Sequence, residues 1–319
     1  MTKMQLISCR GNLPLAEKIS KYLKIPLTPV KVESFANGEI YIRIERKVRN
    51  DDIFVIQSFT SSVNDDFMEL LIIIDALKRA SAGKINVICP NLCYSRQDRK
   101  VRSREPISAK LIANLITKAG ADRLLSVDLH TDQLQGFYDI PVDHLVGYPQ
   151  FADYLIKNKY KNLVIVAPDI GAVKKATKLG GLLHAPLVVV YKRRKKHNES
   201  EVSFVIGEVE GKTAVILDDI IDTGGSVSNI ASILKEKGAK DIIICATHGL
   251  LNGNACEKLN SSPASKILIT DTVNLSKEKQ IDKIEIITLS KLLSKVIKRI
   301  HNGESLGKLF KWEEKETIF

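Results

Sequence analysis

The sequence predicts an α/β protein with two similar domains, each built on a parallel-rich central sheet flanked by helices. Short β-branched runs alternate with amphipathic helical segments along all 319 residues. Nearly continuous apolar character in such short runs is typical of parallel strands covered on both faces. Alternation of strand and helix favours an α/β architecture. The strand candidates are Ile53–Gln57, Ile85–Cys89, Leu124–Val127, Leu163–Ala167, Leu187–Val190, Thr213–Leu217, Ile242–Ala246 and Ile284–Thr288.

Three segments have clear helix signals. The first begins at Asn64, with acidic residues in its first turn, basic residues in its last turn and helical spacing of its apolar residues. Segments 108–119 and 226–237 show the same apolar periodicity. Each of these two is followed by a glycine, Gly120 or Gly238, that is suited to ending a helix.

A segment near Ile140–Pro149 separates the two halves. Two prolines and a glycine interrupt the periodic pattern there. We expect an N-terminal domain over residues 1–146 and a C-terminal domain over 147–319, each close to the usual size of a domain. Residues 311–319 are polar and are expected to form a loosely held tail.

The net charge of the chain is +11, from 48 Lys+Arg against 37 Asp+Glu. Two short runs, residues 96–104 and 192–196, hold ten of the basic residues, and the remaining 38 basic and 36 acidic residues leave a net charge of only +2. A protein that coats nucleic acid is expected to spread its charge along one face. Charge concentrated at two points indicates a compact polyanionic ligand instead, such as a nucleotide or sugar phosphate.

The cysteines and the apolar segments indicate the compartment. Five cysteines form no CxxC pair, which favours a reducing environment. The first residues show no apolar signal-peptide region, and the longest aliphatic run, Leu70–Ile74, is far too short to span a bilayer. We therefore expect a cytoplasmic protein whose partners are neither membranes nor nucleic acids.

The sharpest chemical signal is Val215–Ser226, where an apolar strand ends in two carboxylates and a glycine-containing loop opens a helix. Backbone N–H groups at such a helix start cradle a phosphate, and glycines let the backbone approach the anion. The doubled aspartate is suited to accept hydrogen bonds from sugar hydroxyls, directly or through a hydrated metal. The candidate sugar-phosphate residues are Asp218, Asp219, Asp222, Thr223, Gly224, Gly225 and Ser226.

Three more candidate sites stand at predicted strand ends. Asp128 and His130 are two residues apart, so an extended chain would point both side chains the same way. His130 fits either a buried structural histidine or a ligand of metal or phosphate. Asp169 follows a strand at the edge where α/β sheets place ligands. Lys192 and Arg194 lie in the second basic run, just beyond another predicted strand.

The loop Asp218–Ser226 resembles the 5-phosphoribosyl 1-diphosphate binding loop of the phosphoribosyltransferase fold, which implies two domains of that type. Further motifs, in this order and at these spacings, are similar to those of the ribose-phosphate diphosphokinases of the phosphate-activated class I. The chain is identified as a member of that family over about residues 5 to 310. The motifs are Phe35–Glu39, Ser95–Arg99, Ser103–Ser108, Asp128–His130 with Gln135–Phe137, and Thr247–Gly249.

The resemblance implies an activity in nucleotide biosynthesis. The family transfers the diphosphoryl group of Mg-ATP to the C1 hydroxyl of ribose 5-phosphate, which yields 5-phospho-α-D-ribose 1-diphosphate and AMP. By resemblance, His130 and Asp169 bind Mg²⁺, Lys192 and Arg194 are catalytic, and residues 96–104 form a mobile flap. The implied ATP-binding residues are Phe35, Asn37, Glu39, Arg96, Gln97, Asp98 and His130.

The resemblance also implies an oligomer and allosteric effectors. In the family, residues at the positions of Phe35, Asn37 and Glu39 reach the ATP of a neighbouring subunit, so dimers that assemble into a homohexamer are expected. Phosphate and ADP are the implied effectors. Their candidate contacts are Arg49, Ser103 and Ser305.

Four residues depart from the family pattern. Asn91 and Cys93 stand where aromatic and glycine residues are commoner, and altered packing under the flap is expected there. Ala172 replaces a glycine, which is expected to crowd the turn that holds the diphosphate. Tyr191 replaces an acidic residue and so removes one local counter-charge.

Two other functions remain open. A phosphoribosyltransferase that consumes the same diphosphate would leave the ATP motifs of the first half unexplained. A non-catalytic regulatory homologue should have lost its chemical residues. The chain keeps His130, Asp169, Lys192, Arg194, Asp218 and Asp219.

Overall fold

The computed structural model describes residues 2–193 and 202–310, so Arg194 and the predicted tail at 311–319 lie outside the described residues. Within these ranges the strands are β1 (Met4–Ser8), β2 (Val30–Ser34), β3 (Ile40–Ile44), β4 (Asp52–Ile56), β5 (Lys84–Ile88), β6 (Arg123–Val127), β7 (Val142–Leu145), β8 (Leu163–Ala167), β9 (Leu187–Arg193), β10 (Val202–Ile206), β11 (Thr213–Ile221), β12 (Asp241–Gly249), β13 (Lys266–Thr270) and β14 (Ile284–Ile287). The α-helices are α1 (Leu13–Leu23), α2 (Val63–Arg79), α3 (Ser108–Ala119), α4 (Tyr148–Lys157), α5 (Val173–Leu183), α6 (Gly225–Glu236), α7 (Ala255–Ser261) and α8 (Ser290–Asn302).

The first sheet has five parallel strands in the order β1-β4-β5-β6-β7. All five residues of β4 are buried, as expected for a strand covered on both faces. The separate hairpin of β2 and β3 is antiparallel and only partly buried. Its residues alternate between half-buried and exposed, so a search for continuous apolar runs does not find these two strands.

The second sheet has seven strands in the order β10-β9-β8-β11-β12-β13-β14. Its strand pairs are parallel except for β10 with β9, which is antiparallel. The carboxyl ends of its parallel strands therefore meet at one edge, which is where such sheets bind ligands. The predicted fold class, α/β with two phosphoribosyltransferase-type domains, is confirmed.

The described residues separate into two compact units. The first contains the chain up to Val146 together with Thr272–Asn274 and Thr288–Leu309. The second contains Gly147–Asp271 and Leu275–Ile287. The sequence analysis assigned every residue after 146 to the second domain. The segments Thr272–Asn274 and Thr288–Leu309 belong to the first unit instead.

Helix α8 explains the difference, because it packs against α1 of the first unit. Leu293, Val296 and Ile297 of α8 are buried, and an amphipathic helix has to bury its apolar side. A hydrogen bond of 2.7 Å between His301 Nδ1 and Asp52 Oδ2 also joins α8 to β4. Long-range packing of this kind has no signal in the local sequence.

Strand β11 is longer than predicted. The sequence analysis ended it at Leu217, before the doubled aspartate, but the strand continues to Ile221. Parallel pairing with β12 through Gly249 stabilises the added residues. Asp218 and Asp219 therefore lie within a paired strand, and the loop that follows them is correspondingly short.

None of the helices in the described ranges is long and apolar enough to cross a membrane.

Candidate functional site

The loop between β11 and α6 has the geometry of an anion-binding turn. Gly224 precedes the helix with φ at +72°, a left-handed conformation that favours glycine. A Cβ on Gly224 would lie 3.3 Å from the carbonyl oxygen of Ala255, so a side chain has little room there. The N–H groups of the first helical turn face such a loop and carry the positive end of the helix dipole. Thr223 and Ser226 are exposed on either side of this helix start.

Asp218 and Asp219 form an acidic pair near the end of β11, before this loop. The backbone N–H of Asp219 donates to Oδ1 of Asp218 at 2.9 Å. Burial, the carboxylate of Asp219 and the more distant charge of Asp169 raise the pKa of Asp218 to about 7. Such a pair holds a proton near neutral pH and releases it when a cation or several hydroxyl donors bind.

Asp169 stands in the turn after β8, the strand that pairs with β11. Its Oδ1 accepts a hydrogen bond from the backbone N–H of Ala172 at 3.0 Å, which closes the turn before α5. The expected crowding by Ala172 is not seen in the backbone, because its φ of −79° and ψ of −13° are open to any L residue. Because the charge of Asp169 acts on Asp218, the structure brings the two predicted sites of this unit together.

Two residues that the sequence analysis missed lie beside the loop. The ammonium nitrogen of Lys258 on α7 is 3.9 Å from the position a Cβ would take on Gly225. Asn252 donates from Nδ2 to Asp222 Oδ1 at 3.0 Å and from its backbone N–H to the Asp222 carbonyl at 2.8 Å. Both residues follow β12 in the chain and reach the loop only because β12 pairs with β11.

A second group of predicted residues gathers at the carboxyl end of the first sheet. Oγ1 of Thr131 donates to Oδ2 of Asp98 at 3.1 Å, which joins the loop after β6 to the segment after β5. The carbonyl of Gln97 accepts a hydrogen bond from the first turn of α3. Arg96, Gln97 and His130 are exposed there. The structure therefore places the predicted ATP residues Arg96, Gln97 and Asp98 beside the loop that carries His130.

The expectation that Asp128 and His130 point the same way is wrong. β6 ends at Val127, and Asp128 takes a φ of +44°, so the alternation of an extended strand is interrupted. Asp128 is buried and His130 is exposed. His144 supports this loop, because its Nε2 accepts a hydrogen bond of 3.0 Å from the backbone N–H of Leu129. The sequence analysis did not identify His144, which lies on the neighbouring strand β7.

The other predicted ATP residues lie on the tip of the β2–β3 hairpin. Phe35, Asn37 and Glu39 are exposed, and the Phe35 ring packs edge-on against Tyr41 with centroids 6.1 Å apart. The backbone N–H of Glu39 donates to Asn37 Oδ1 at 3.1 Å, and Gly38 has a φ of +91°. The hydrogen bonds of this tip stay within the hairpin.

Of the two predicted catalytic cations, Lys192 is described only through its backbone, and Arg194 lies outside the described residues. β9 pairs in parallel with β8 up to Val189 and continues past it, so Lys192 lies beyond the carboxyl end of β8. Tyr191, one of the departures from the family pattern, is 41% exposed.

The other two departures belong to the core of the first unit. Asn91 and Cys93 are buried, and Asn91 Nδ2 donates to the Phe59 carbonyl at 3.3 Å. Desolvation raises the pKa of the Cys93 thiol, which therefore packs as a small apolar group.

The candidate effector contacts are exposed and lie apart in the chain. Arg49 forms a single bridge with Ala82. The Ser305 carbonyl accepts a hydrogen bond of 2.7 Å from Arg299. Hydrogen bonds recorded within the described ranges do not join Arg49, Ser103 and Ser305 to one another.

Asp169, one of the two candidate metal ligands, fits an ion that is shared with a substrate. Among the described residues no group of three or more His, Cys, Asp or Glu side chains could hold a metal alone. Mg²⁺ in phosphate-transfer sites keeps several waters and takes one or two protein carboxylates plus substrate phosphates. Asp169 is an exposed carboxylate at a ligand-binding sheet edge, and it meets that requirement.

Comparisons with known proteins identify similar sequences and a similar structure. Residues 4–120 match the family model described as the N-terminal domain of ribose phosphate pyrophosphokinase, and residues 201–311 match the phosphoribosyl synthetase-associated domain. The chain is 48% identical to ribose-phosphate pyrophosphokinase 2 of Enterococcus faecalis, over 98% of both chains. It is 46% identical to ribose-phosphate pyrophosphokinase of Bacillus caldolyticus, over 97% of this chain and 98% of the relative. The crystal structure of phosphoribosylpyrophosphate synthetase from Mycobacterium smegmatis is similar at a TM-score of 0.90 and 40% identity, over 95% of this chain and 100% of that one.

Proposed function

The chain belongs to the ribose-phosphate pyrophosphokinase family, and from that premise we propose that it transfers the diphosphoryl group of ATP to the C1 hydroxyl of ribose 5-phosphate. The products are 5-phospho-α-D-ribose 1-diphosphate and AMP. One observation carries the proposal: the acidic pair Asp218 and Asp219 lies near the end of β11, a few residues before Gly224 and the start of α6. Carboxylates accept hydrogen bonds from sugar hydroxyls and a helix start binds phosphate, so one segment offers both halves of a sugar-phosphate site.

The sugar phosphate is oriented by this segment. The 5-phosphate binds to the backbone N–H groups and hydroxyls of Asp222–Ser226, with the ammonium group of Lys258 as its counter-charge. Asp218 and Asp219 accept hydrogen bonds from the ribose hydroxyls. Fixing both ends of the sugar leaves its C1 hydroxyl in one position, and such positioning lowers the barrier to a two-substrate reaction.

The transfer itself needs little covalent help from the protein. The C1 oxygen attacks the β-phosphorus of ATP, the bond from that phosphorus to the oxygen bridging to the α-phosphate breaks, and AMP leaves with that oxygen. The hydroxyl proton passes to solvent or to a phosphate oxygen. Lys192 and Arg194 supply fixed positive charge for the phosphoryl oxygens, which is the main catalytic device in phosphoryl transfer.

ATP binds to the group at the carboxyl end of the first sheet. Arg96 and Gln97 contact the nucleotide, and the bond from Thr131 to Asp98 supports their segment. Residues 96–104 close over the site as a flap and exclude water. His130 and Asp169 would hold Mg²⁺, which when bound neutralises charge on the phosphate chain.

The proposal includes a homohexamer built from dimers, with phosphate and ADP as effectors that contact Arg49, Ser103 and Ser305. The exposed hairpin tip supports the oligomer, because a Phe35 ring that is 56% exposed is available to the ATP of a neighbouring subunit. A cytoplasmic location is supported by the five cysteines, all of which are free thiols.

Product analysis tests the reaction. Purified protein is mixed with ribose 5-phosphate, MgCl₂ and ATP, and the phosphorus resonances are followed by NMR. We expect AMP and the diphosphorylated sugar to appear in equal amounts. ADP as the sole product, or no turnover, would contradict the proposal.

A variant of the catalytic lysine completes the experiment. Lys192→Ala should slow turnover by about 100-fold or more, because a fixed cation at the reacting phosphate is lost. Binding of ribose 5-phosphate, measured by calorimetry, should be unchanged. Loss of sugar binding instead would show that Lys192 belongs to the sugar site.

A further inference from the structure

A groove in the first unit lies outside the sites described above. It runs between the C-terminal end of α1 and helix α8, and its volume is about 520 Å³. Met4, Leu23 and Ile25 contribute apolar wall to it. Clefts of this size with mostly apolar walls and a few polar groups are the usual form of small-molecule sites.

Four lysines line the groove, and they come from three separate parts of the chain. Lys3 stands before β1, Lys24 follows α1, and Lys295 and Lys298 lie one turn apart on α8. None of the twelve described residues that line the groove is acidic. Ammonium groups of like charge repel one another, so an anion that enters this groove lowers its electrostatic energy.

The nearby carboxylate of Asp52 is bonded to groups other than the four lysines. Its Oδ2 is 2.7 Å from Nδ1 of His301, a wall residue, and its Oδ1 accepts a hydrogen bond of 2.6 Å from Asn86. Asp52 is 7% exposed and is not among the lining residues. Both of its oxygens are thus bonded within the unit, and the lysines retain no acidic partner among the lining residues.

We propose that this groove binds a compact polyanion of the triphosphate class. Four lysines around one groove match a ligand that carries several phosphate charges better than they match a single carboxylate. Tyr22, which is 47% exposed, and Pro26 add flat apolar surface to the same groove. A nucleoside triphosphate therefore gains a ring contact that inorganic tripolyphosphate lacks, and both share the phosphate chemistry.

Lysine footprinting tests the proposal at the residue level, so that binding at the catalytic site does not confuse the result. The whole protein is acylated briefly with acetic anhydride, with and without sodium tripolyphosphate, and each lysine is quantified by mass spectrometry. Acylation of Lys24, Lys295 and Lys298 should fall about tenfold at a concentration of roughly ten times Kd. Lys118, an exposed lysine on α3, serves as the reference and should change by less than about twofold.

Variants identify the groove as the origin of the effect. Lys295→Glu with Lys298→Glu should abolish protection of Lys24, whereas Lys118→Glu should leave it intact, and both proteins should retain turnover. Tyr22→Ala should weaken protection by a nucleoside triphosphate but not by tripolyphosphate, because only the former contacts the ring. The proposal would be overturned if Lys118 were protected as strongly as Lys24. It would also be overturned if Lys24 were still protected in the variant with both Lys295→Glu and Lys298→Glu. Protection that appears without anion as protein concentration rises would also overturn it, because a second copy would then cover the groove.

Discussion

The hydroxyl of Thr131 donates a hydrogen bond to the carboxylate of Asp98 across 3.1 Å. This bond links two loops that are separated by about thirty residues of chain and that both follow strands of the first sheet. One loop carries His130 and the other carries Arg96 and Gln97. The two loops that carry the predicted nucleotide-binding residues of this unit are therefore joined by this hydrogen bond.

Replacing Thr131 by Val should loosen that support while keeping the shape of the side chain. A hydrogen bond to a carboxylate contributes about 1.5–3 kcal/mol, so the KM for ATP should rise roughly tenfold. The KM for ribose 5-phosphate should stay within about twofold, because the sugar loop is elsewhere in the chain. Steady-state kinetics measure both constants. Thr131→Ser should restore the KM for ATP, and failure of this rescue would count against the hydrogen bond.

Lys258→Ala should weaken binding of ribose 5-phosphate. The variant removes a cation beside Gly225 at the start of α6, where the 5-phosphate is proposed to bind. Loss of a charge-assisted contact predicts a KM for the sugar that is raised about tenfold, with kcat little changed. Lys237→Ala, at the opposite end of the same helix, is the matched control. Equal effects of the two variants would show that Lys258 acts only through general electrostatics.

Gly224→Ala should damage the same loop through the backbone. A left-handed φ of +72° costs an alanine about 1–2 kcal/mol, and the added Cβ would also press on the Ala255 carbonyl at 3.3 Å. We expect a lower melting temperature and a KM for ribose 5-phosphate raised by about tenfold or more. Gly211→Ala, before β11, separates the two causes, because its φ of +68° brings the same strain while a Cβ there meets nothing within 4 Å. A similar rise in KM for both variants would contradict a local role for Gly224.

The acidic pair predicts a proton linkage on substrate binding. Burial and neighbouring carboxylates raise the pKa of Asp218 to about 7, whereas bound hydroxyl donors or a cation favour the ionised form. Binding of ribose 5-phosphate with Mg²⁺ should therefore release protons between about pH 6 and pH 8. Titration calorimetry at pH 7 in buffers of different ionisation enthalpy measures the number of protons released on binding. An Asp218→Asn protein that releases as many protons would show that the proton comes from another group.

The same raised pKa makes stability depend on pH. The folded state binds the Asp218 proton more tightly than the unfolded state, so this stabilisation is present below about pH 4 and is lost as the pH rises through about 7. The free energy of unfolding, measured with urea, should fall more between pH 5 and pH 8 for the unmutated protein than for Asp218→Asn. Asp153→Asn, at an exposed position of α4, is the control and should show no such change. A parallel pH dependence of Asp218→Asn and the native protein would contradict the assignment.

Much of the site could be predicted because it is local in the chain. The run from Asp218 to Ser226 contains a strand end, acidic acceptors, a left-handed glycine and a helix start within nine residues. Each of these features depends on neighbours a few positions away, and residue type alone indicates them. The two helices over 108–119 and 226–237 were predictable for the same reason, since periodicity and a terminal glycine are local signals.

Features that depend on strand pairing could not be predicted in this way. Lys258 reaches Gly225, and Asn252 reaches Asp222, only because β12 lies beside β11. His144 supports the loop before His130 because β7 lies beside β6. The prediction about Asp128 failed because a single positive φ ended the strand alternation on which it relied.

The distribution of charge shows most clearly which features local sequence can predict and which depend on the tertiary structure. The clusters of basic residues at 96–104 and 192–196 are visible in the sequence, and the remaining residues have a net charge close to zero. The groove between α1 and α8 could not be predicted from these clusters, because its lysines, Lys3, Lys24, Lys295 and Lys298, are far apart in the chain. Sequence alone indicated the family, the fold class and the segment proposed as the sugar-phosphate loop, since these rest on local residue patterns. Only the tertiary structure decided which distant lysines line one groove, and electrostatic energy depends on distance in space and not on separation along the chain.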